Sequence, residues 1–455
     1  MHIVTPPIVV EDSEAFEKDA LGRKDFGEAL LNLVTRSSDE LVISLDGRWG
    51  EGKTTFSRMW QGMLREQNIP CVYIDAFAND YFDEPFISVA SAINAYIEQN
   101  ANCTDEDKIK DFLDKTKNVG AQLLSWTAKI GLRAATLGAI KDSDIEALGD
   151  IQNEVATGVS GVVGDFIEER LTCHEKDIET LESFKSTLSQ IPSMLTPTGE
   201  TPLIIIVDEL DRCRPNYAVE LIEKIKHLFS VRNVIFILVM HRRQLEEAVK
   251  CVYGTNIDAH TYLQKFINIE TSLPKRSWDS PLNDITLYNK RLMELHEIEA
   301  WGDEDALLRG NEALAKHFDL SLRQLERVYT NIALFYAAST ERQLRLPPII
   351  SFLSVIKVIR PEIFTALQKG NISYAELCQQ TGISDEMGEG SYYDTLKIMA
   401  MWIKYALLSD AEFSQLNSSD KTRNLEQRIS RYHLERGRII PFLIEKLSLF
   451  STNPR

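Results

Sequence analysis

The sequence lacks the features of several large protein classes. Its six cysteines form no CxxC pair, which argues against both a zinc ribbon and a disulfide framework. No apolar run reaches the roughly 18 residues that a membrane span needs. We find no repeat of fixed period and no low-complexity tract. Because the N-terminus also lacks a basic segment followed by an apolar core, we expect a cytoplasmic protein without a membrane role.

Positive charge is also scarce, since the formal net charge is -18 at pH 7. General attraction to nucleic acid or anionic lipid is therefore not expected. Two basic clusters could still touch nucleic acid. They are His241-Arg242-Arg243 and the set Arg423, Arg428, Arg431, His433, Arg436 and Arg438. Glu426 and Glu435 interleave the second set, which favours a solvated helix face.

Short apolar runs alternate with helical patterns along the first part of the chain. Five runs rich in β-branched residues have the length and flanks of buried parallel strands, at 41–45, 71–76, 203–207, 234–239 and 266–273. Helical patterns lie between most of them, which predicts an α/β fold with a doubly wound parallel sheet. A mostly helical insertion separates the second and third strands. Beyond Pro274 only helical patterns remain, ending with one predicted over Asn424–Ser448.

A glycine-rich segment follows the first predicted strand and precedes a predicted helix. It reads Gly47-Arg48-Trp49-Gly50-Glu51-Gly52-Lys53-Thr54-Thr55, and we assign all nine residues to a nucleotide site. Gly47, Gly50 and Gly52 would turn backbone N–H groups inward at φ values that other residues avoid. Lys53 would reach the β- and γ-phosphates, and Thr54 would offer its hydroxyl to Mg²⁺. The segment therefore predicts a P-loop for ATP and Mg²⁺.

Carboxylates stand at the end of the third predicted strand. Asp208 is positioned to hold Mg²⁺ together with Thr54, and Glu209 to polarise the attacking water, the division of labour that phosphoryl transfer requires. Asp211 is the alternative base. With Lys53, Glu209 and Asp211 belong to the candidate catalytic set.

The segment Asp208-Glu209-Leu210-Asp211-Arg212-Cys213 resembles the signature of KAP-family P-loop NTPases, a group related to AAA-like and STAND ATPases. Other segments agree in order and spacing. They are Asp19–Phe26, Gly47–Phe56, Ile74–Phe77 with Asp80–Tyr81, Arg242–Ala248, Tyr262–Ile267 and Leu273–Pro274. The likeness covers roughly residues 15 to 335. Two positions depart from the pattern: His241 stands where the family usually has an aspartate, and Glu209 replaces a common second aspartate while keeping a carboxylate.

Arginines are the remaining catalytic candidates, because a rigid guanidinium best meets the charge that develops on the γ-phosphate. Arg323 and Arg327 lie in a helix that resembles the lid helix carrying the sensor arginine in such ATPases, and Arg323 is the first choice. Arg212 either acts as a finger across a subunit interface or pairs with a neighbouring carboxylate.

We expect an ATPase in which Mg-ATP binding and hydrolysis switch the lid and the C-terminal domain between two arrangements. The resemblance implies a self-associating bacterial protein that works with partners encoded nearby in defence against phage or plasmids. Two alternatives stay open: a nucleotide-dependent scaffold with negligible turnover, and a DNA-associated motor.

The length of 455 residues predicts several packed units rather than one. We place the P-loop core at 1–275 with its insertion at about 100–200, a helical lid at 276–345, and a helical C-terminal domain at 346–455.

Overall fold

A computed structural model describes residues 1–6, 15–37, 39–81, 84–100, 107, 110–121, 178–195, 201–276, 283–416, 422, 425–429, 432 and 434–449. Most of the predicted insertion, from 122 to 177, lies outside the described residues. The same holds for Arg423, Arg431, His433 and the side chain of Arg428 in the second basic cluster.

Five parallel strands form the central sheet. They are β1 (Leu41–Asp46), β2 (Cys71–Asp75), β3 (Leu203–Asp208), β4 (Val234–Met240) and β5 (Ile269–Ser272). Their order is β2-β3-β4-β1-β5, and every neighbouring pair is parallel. The predicted α/β fold with a parallel sheet is confirmed. β5 is shorter than its predicted run because Phe266 closes the turn after helix Ala259–Gln264, donating its N–H to Leu263 O at 3.0 Å.

Both faces of the sheet are covered. All six residues of β3 are buried, and since successive side chains point to opposite faces, such a strand needs a layer on each side. Ile204 and Ile206 share a core cluster with Trp60 of helix Lys53–Glu66. Ile205 belongs to the cluster on the opposite face, with residues of helix Pro85–Asn100. This packing fixes the sheet edge that carries the site.

The strand order brings distant segments of the chain to one edge. β4 lies between β1 and β3, with Asp46 paired to Met240 and Val207 paired to Leu238. The loops that follow β1 and β3 therefore flank His241, the residue after β4. Crevices at the carboxyl ends of parallel strands are the usual ligand sites of open α/β sheets.

The described part of the insertion is helical and packs on the sheet. Helices at 110–121 and 178–188 contribute Phe112 and Phe184, which stack at 5.6 Å between ring centroids. Phe184 meets Phe86 at 5.5 Å and Phe229 at 5.7 Å. Across the described ranges, no helix combines the length and the apolar character that crossing a membrane requires.

Beyond β5 the described chain is helical. Its α-helices are Asp284–His296, Glu304–His317, Leu322–Ala337, Pro347–Ile359, Pro361–Lys369, Tyr374–Thr381, Ser391–Leu407, Asp410–Gln415, Leu425–Ile429 and Ile439–Ser448. One apolar cluster contains Leu21 and residues between Ile285 and Leu447, and includes buried residues of most of these helices. The predicted lid and C-terminal domain share this core, and the boundary between them stays a prediction.

The predicted single helix over Asn424–Ser448 is wrong. Glu435 is extended, with φ -63° and ψ 140°, and a 3-10 turn at Arg436–Arg438 precedes helix Ile439–Ser448. Gly437 weakens a helix because it loses more backbone entropy than other residues. Pro441 falls in the first turn of the last helix, where a missing N–H costs nothing.

Three helices that were not predicted begin at caps readable in the sequence. Ser373 and Ser409 each start a capping box, with glutamate three residues later. Asn283 caps helix Asp284–His296, accepting from the N–H of Thr286 at 2.9 Å. A serine followed three residues later by glutamate is a known helix-start signal.

Candidate nucleotide site

The glycine-rich loop joins β1 to helix Lys53–Glu66, as its spacing predicts. Gly50 and Gly52 have φ of +78° and +83°, values that side chains rarely adopt. The prediction is wrong for Gly47, whose φ lies outside that region. A Cβ on Gly47 would instead lie 3.1 Å from Glu51 Oε2 and 3.3 Å from the Lys53 side chain. Gly47 therefore makes room for the loop's own side chains.

Lys53 lies at the floor of the loop, 9% exposed. Its ammonium donates to Gly47 O at 2.5 Å and to Arg48 O at 3.3 Å. Burial lowers the pKa of Lys53, while the carboxylates of Asp211 and Asp208 oppose the change. A cation in this position, close to the start of a helix, suits a polyphosphate.

Asp208 ends β3 with its side chain already oriented. The residue is 1% exposed. Oδ1 accepts from the backbone N–H of Glu209 at 2.7 Å, and Oδ2 accepts from the hydroxyl of Tyr73 on β2. The sequence analysis did not identify Tyr73, which is 135 residues away from Asp208.

Glu209 occupies a strained backbone position, with φ 58° and ψ 27° in the left-handed region. Such geometry in a non-glycine residue is uncommon and concentrates at functional sites. Burial raises the pKa of Glu209, Arg212 opposes the rise, and Asp208 adds to it. Arg212 Nη1 lies 2.7 Å from Glu209 Oε1.

Asp211, the alternative base, contacts the phosphate loop. Its carboxylate accepts from the indole N–H of Trp49. Trp49 is 46% exposed, and its ring meets His241 edge-on at 5.7 Å. His241 Nδ1 is buried without a hydrogen-bond partner. The loop, the residue after β4 and the turn after β3 thus form one connected rim.

Arg323 reaches the loop from the first turn of helix Leu322–Ala337. Its backbone N–H donates to Gly50 O at 3.3 Å, and a Cβ on Gly50 would lie only 2.6 Å from Arg323 Cβ. Arg323 lines the cleft above the loop, whereas Arg327, one turn later, is absent from that lining. Their roles stay predictions.

Ion pairs also connect the loop to non-helical segments that follow the sheet. Arg48 Nη1 lies 2.7 Å from Asp319 Oδ2, and Lys275 Nζ lies 2.5 Å from Glu51 Oε1. Glu51 is 7% exposed. Burial opposes ionisation of Glu51, but hydrogen bonds from Lys275 and Arg48 outweigh it and lower the pKa. These contacts span 271 and 224 residues.

Arg23 is a candidate site residue to which the sequence analysis gave no role. It is 6% exposed, and its Nη1 donates to Glu51 O at 2.9 Å. Its Nη2 lies 3.9 Å from Asp284, while Nε is buried without a hydrogen-bond partner. Burial lowers the pKa of Arg23, and the nearby carboxylates oppose this. Its only sequence signal was the family-like segment Asp19–Phe26.

These residues converge on one cleft with about 930 Å³ of empty space, including its open mouth. The predicted residues that line it are Trp49, Gly50, Gly52, Lys53, Thr54, Thr55, Asp208, Glu209, Asp211, Arg212 and Arg323. Gly47, Arg48 and Glu51 do not line this cleft, and Arg48 and Glu51 line a neighbouring pocket with Lys275 and Asp319. The structure therefore brings together side chains from both predicted motifs and from the predicted lid.

In each of the two basic clusters, one described arginine pairs with neighbouring carboxylates. Arg242 Nη1 lies 2.5 Å from Glu270 Oε1, and Arg242 Nε lies 3.0 Å from Glu246 Oε1. Arg436 pairs with Asp410 and lies over the ring of Phe413 at 4.5 Å. Neighbouring carboxylates thus neutralise both arginines.

In this site a glycine-rich loop connects a parallel strand to a helix, and a nearby strand of the same sheet ends in carboxylates. This combination defines the P-loop NTPases, a class of nucleotide-binding proteins. The profile described as the KAP family P-loop domain matches residues 23–338, more than half of the chain. The chain belongs to the KAP family of P-loop NTPases.

The chain is similar to the phage T7 exclusion protein of Escherichia coli (strain K12), at 22% identity over 368 residues. The match covers 78% of this chain and 46% of that protein, so the chain spans about half the length of this relative. The ORC2 protein of Aeropyrum pernix, solved in ADPNP-ADP complexes, aligns over 96% of this chain and 98% of that chain. Its TM-score is 0.38 and its identity is 12%, a likeness too low to carry an argument.

Proposed function

We propose that the chain is an ATPase in which binding and hydrolysis of Mg-ATP change the arrangement of the helical lid. The observation that carries the proposal is one cleft lined by Lys53, Asp208, Glu209 and Arg323. Phosphoryl transfer requires a phosphate-binding cation, a metal-binding carboxylate, a base and an arginine. These four residues are our candidates for those roles, in that order.

The donors in the cleft suit a magnesium-bound triphosphate. Gly50 and Gly52 hold the loop at φ values of +78° and +83°, which directs backbone N–H groups to an anion. Asp208 and Thr54 would hold Mg²⁺ through oxygen, and so small a protein ligand set leaves room for phosphate oxygens and water. Bound Mg²⁺ would neutralise charge on the β- and γ-phosphates.

Glu209 is the favoured general base. Burial raises its pKa, which makes the carboxylate a stronger proton acceptor than an ordinary glutamate. Arg212 favours its ionised form through the contact at 2.7 Å. Asp211 is held by Trp49 and is the less favoured base.

The lid contacts support a conformational switch. Gly50 O accepts from Arg323 N–H, and Arg48 pairs with Asp319. A loop that changes shape around phosphates would therefore act directly on the helices that follow the sheet. Nucleotide can shift the equilibrium between two arrangements of the lid only if it binds one of them more tightly than the other.

We further propose a role in antiphage defence, as a homo-oligomer that works with partners encoded nearby. Similarity to a phage T7 exclusion protein supports the defence role. Lower plating of phage T7 on cells that express the chain, lost in Lys53→Ala, is the expected result. Equal plating with both forms would contradict a nucleotide-dependent defence role.

A nucleotide-dependent scaffold is the second candidate. It is favoured by the Glu209–Arg212 pair, because a base that stays bound to a cation would turn over little ATP. For the DNA-associated motor, the neutralised arginines Arg242 and Arg436 offer no support.

Phosphate release by the purified chain, with and without DNA, tests the proposal. Wild type should turn over ATP, and Lys53→Ala should lose ATP binding. Glu209→Gln should bind ATP but lose about 10²-fold or more in turnover. Glu247→Gln, at an exposed glutamate paired with Lys250, is the matched control. Mass measurement in ATP tests self-association. ATP binding without turnover would favour the scaffold.

A further inference from the structure

We propose that Tyr73 is a positioning residue that orients the carboxylate of Asp208 for Mg²⁺, a role that rests on the proposed function. Tyr73 lies on β2, next to β3 in the sheet. It belongs to neither the phosphate loop nor the acidic motif. Its hydroxyl donates to Asp208 Oδ2.

Two donors fix the Asp208 carboxylate from two directions. The N–H of Glu209 binds Oδ1 at 2.7 Å, while the hydroxyl of Tyr73 binds Oδ2. A carboxylate has about four acceptor positions, so these bonds leave others for a metal or its water. Because the orientation is set in advance, metal binding need not supply the free energy to order the side chain.

Tyr73 is itself held in place. In the β2–β3 register it lies opposite Ile206, two residues before Asp208 and on the same face of the sheet. The Arg58 guanidinium, from helix Lys53–Glu66, covers its ring at 3.4 Å from the centroid, a favourable cation–π contact. A phenolic hydroxyl carries its proton at neutral pH, so Tyr73 can act as a donor to Asp208.

The positioning role of Tyr73 depends on its hydroxyl and not on its ring. A phenylalanine would keep the packing between Arg58 and the sheet but would leave Asp208 Oδ2 without its donor. Removing a hydrogen-bond partner of a metal-binding carboxylate typically lowers metal affinity or activity about 10- to 100-fold.

The test measures binding of a fluorescent ATP analogue, mant-ATP, by the full chain in Mg²⁺ and in EDTA. The readout is the ratio of the two affinities. Tyr73→Phe should lower this ratio about 10-fold and leave the affinity in EDTA unchanged, which also shows that the variant folds. Tyr96→Phe is the matched control, because the Tyr96 hydroxyl accepts from the N–H of Cys71 on the same strand, at 3.3 Å.

A double-mutant cycle separates positioning from a general effect on the site. In the Asp208→Asn background, Tyr73→Phe should change the ratio no further. An unchanged ratio in the single variant, or an equal loss in both backgrounds, would overturn the inference. Failure of the proposed function looks different: wild type would bind no mant-ATP, or would bind it equally well in Mg²⁺ and EDTA, and the inference would fall with it.

Discussion

Arg212 Nη1 lies 2.7 Å from Glu209 Oε1, three residues apart on the turn that follows β3. Glu209 is the base that we favour, and Arg212 is the arginine predicted either to act as a finger or to pair with a neighbouring carboxylate. Burial raises the pKa of Glu209 and Arg212 opposes that rise. The guanidinium therefore favours the ionised form of the Glu209 carboxylate.

The first prediction concerns the pH dependence of turnover. A general base works only when deprotonated, so activity falls as pH drops through its pKa. Arg212→Gln removes the cation that opposes the raised pKa of Glu209. We expect the acidic limb of the kcat profile to move to higher pH, while turnover at high pH is largely kept.

Arg309→Gln, at an exposed arginine on helix Glu304–His317, provides the control and should leave the profile unchanged. Loss of turnover by Arg212→Gln at every pH would contradict the positioning role and favour a finger that contacts nucleotide.

The second prediction uses two glycines with similar backbone geometry. Gly50 has φ +78°, and Gly370 has φ +67° at a helix end with no atom within 4 Å of an added Cβ. Alanine at either position costs about 1 kcal/mol in backbone strain. Only at Gly50 would the Cβ also meet Arg323 Cβ, at 2.6 Å.

Gly370→Ala should therefore lower the free energy of unfolding while leaving nucleotide affinity unchanged. Gly50→Ala should lower both, because it displaces the loop from the lid helix. Denaturant unfolding and mant-ATP binding measure the two effects. Normal nucleotide affinity in Gly50→Ala would show that the loop does not need this close approach.

The sequence predicts those parts of the fold and the site that depend on residues close together in the chain. The loop at residues 47–55 follows a strand and opens a helix, and β3 ends in Asp208, because apolar periodicity and glycine spacing act over a few residues. Tyr73, Lys275 and Asp319 could not be found in this way. Their contacts span 135 to 271 residues. A short sequence motif does not indicate which distant strand or segment will pack beside the site.

Some errors came from reading a pattern too broadly. Gly47 was grouped with Gly50 and Gly52, yet it is required for space and not for φ. The pattern over Asn424–Ser448 was extended through Gly437 because its flanks are helical. The helix propensity of a segment is therefore not enough to predict its structure, because contacts with residues distant in sequence also determine the conformation of each residue.

The third prediction concerns stability and the Lys275–Glu51 pair. The pKa of Glu51 in the folded chain is lowered from 4.5. A carboxylate of this kind stabilises the fold above its unfolded pKa, and the stabilisation is lost as pH falls through the folded pKa. Lys275→Met should therefore lower the free energy of unfolding at pH 7, by about 1 kcal/mol since Lys275 is half exposed.

At pH 3 the same substitution should have a smaller effect, because the stabilisation that the ion pair supplies is lost as pH falls through the lowered pKa of folded Glu51. Lys250→Met, which breaks an exposed pair with Glu247 at 2.8 Å, serves as the comparison and should change neither value. Equal destabilisation by Lys275→Met at both pH values would mean that packing of the lysine stem, and not its charge, stabilises the loop.

The fourth prediction separates the two lid arginines. Arg323 lines the cleft and its backbone binds Gly50 O, whereas Arg327 is exposed one turn later on the same helix. A guanidinium that meets charge developing on the γ-phosphate acts more strongly in the transition state than in the ground state. Arg323→Ala should therefore lower kcat at least about 10-fold, with a smaller change in ATP affinity.

Arg327→Ala removes the same charge from the same helix as Arg323→Ala, and both arginines are exposed. It therefore controls for general effects on the lid. It should retain the kcat of wild type. Steady-state phosphate release with saturating ATP, together with mant-ATP binding, measures both quantities. If Arg327→Ala lost turnover while Arg323→Ala kept it, the helix would have to shift along its axis by about one turn, roughly 5 Å, during the reaction, and the arginine that meets the phosphate would be Arg327.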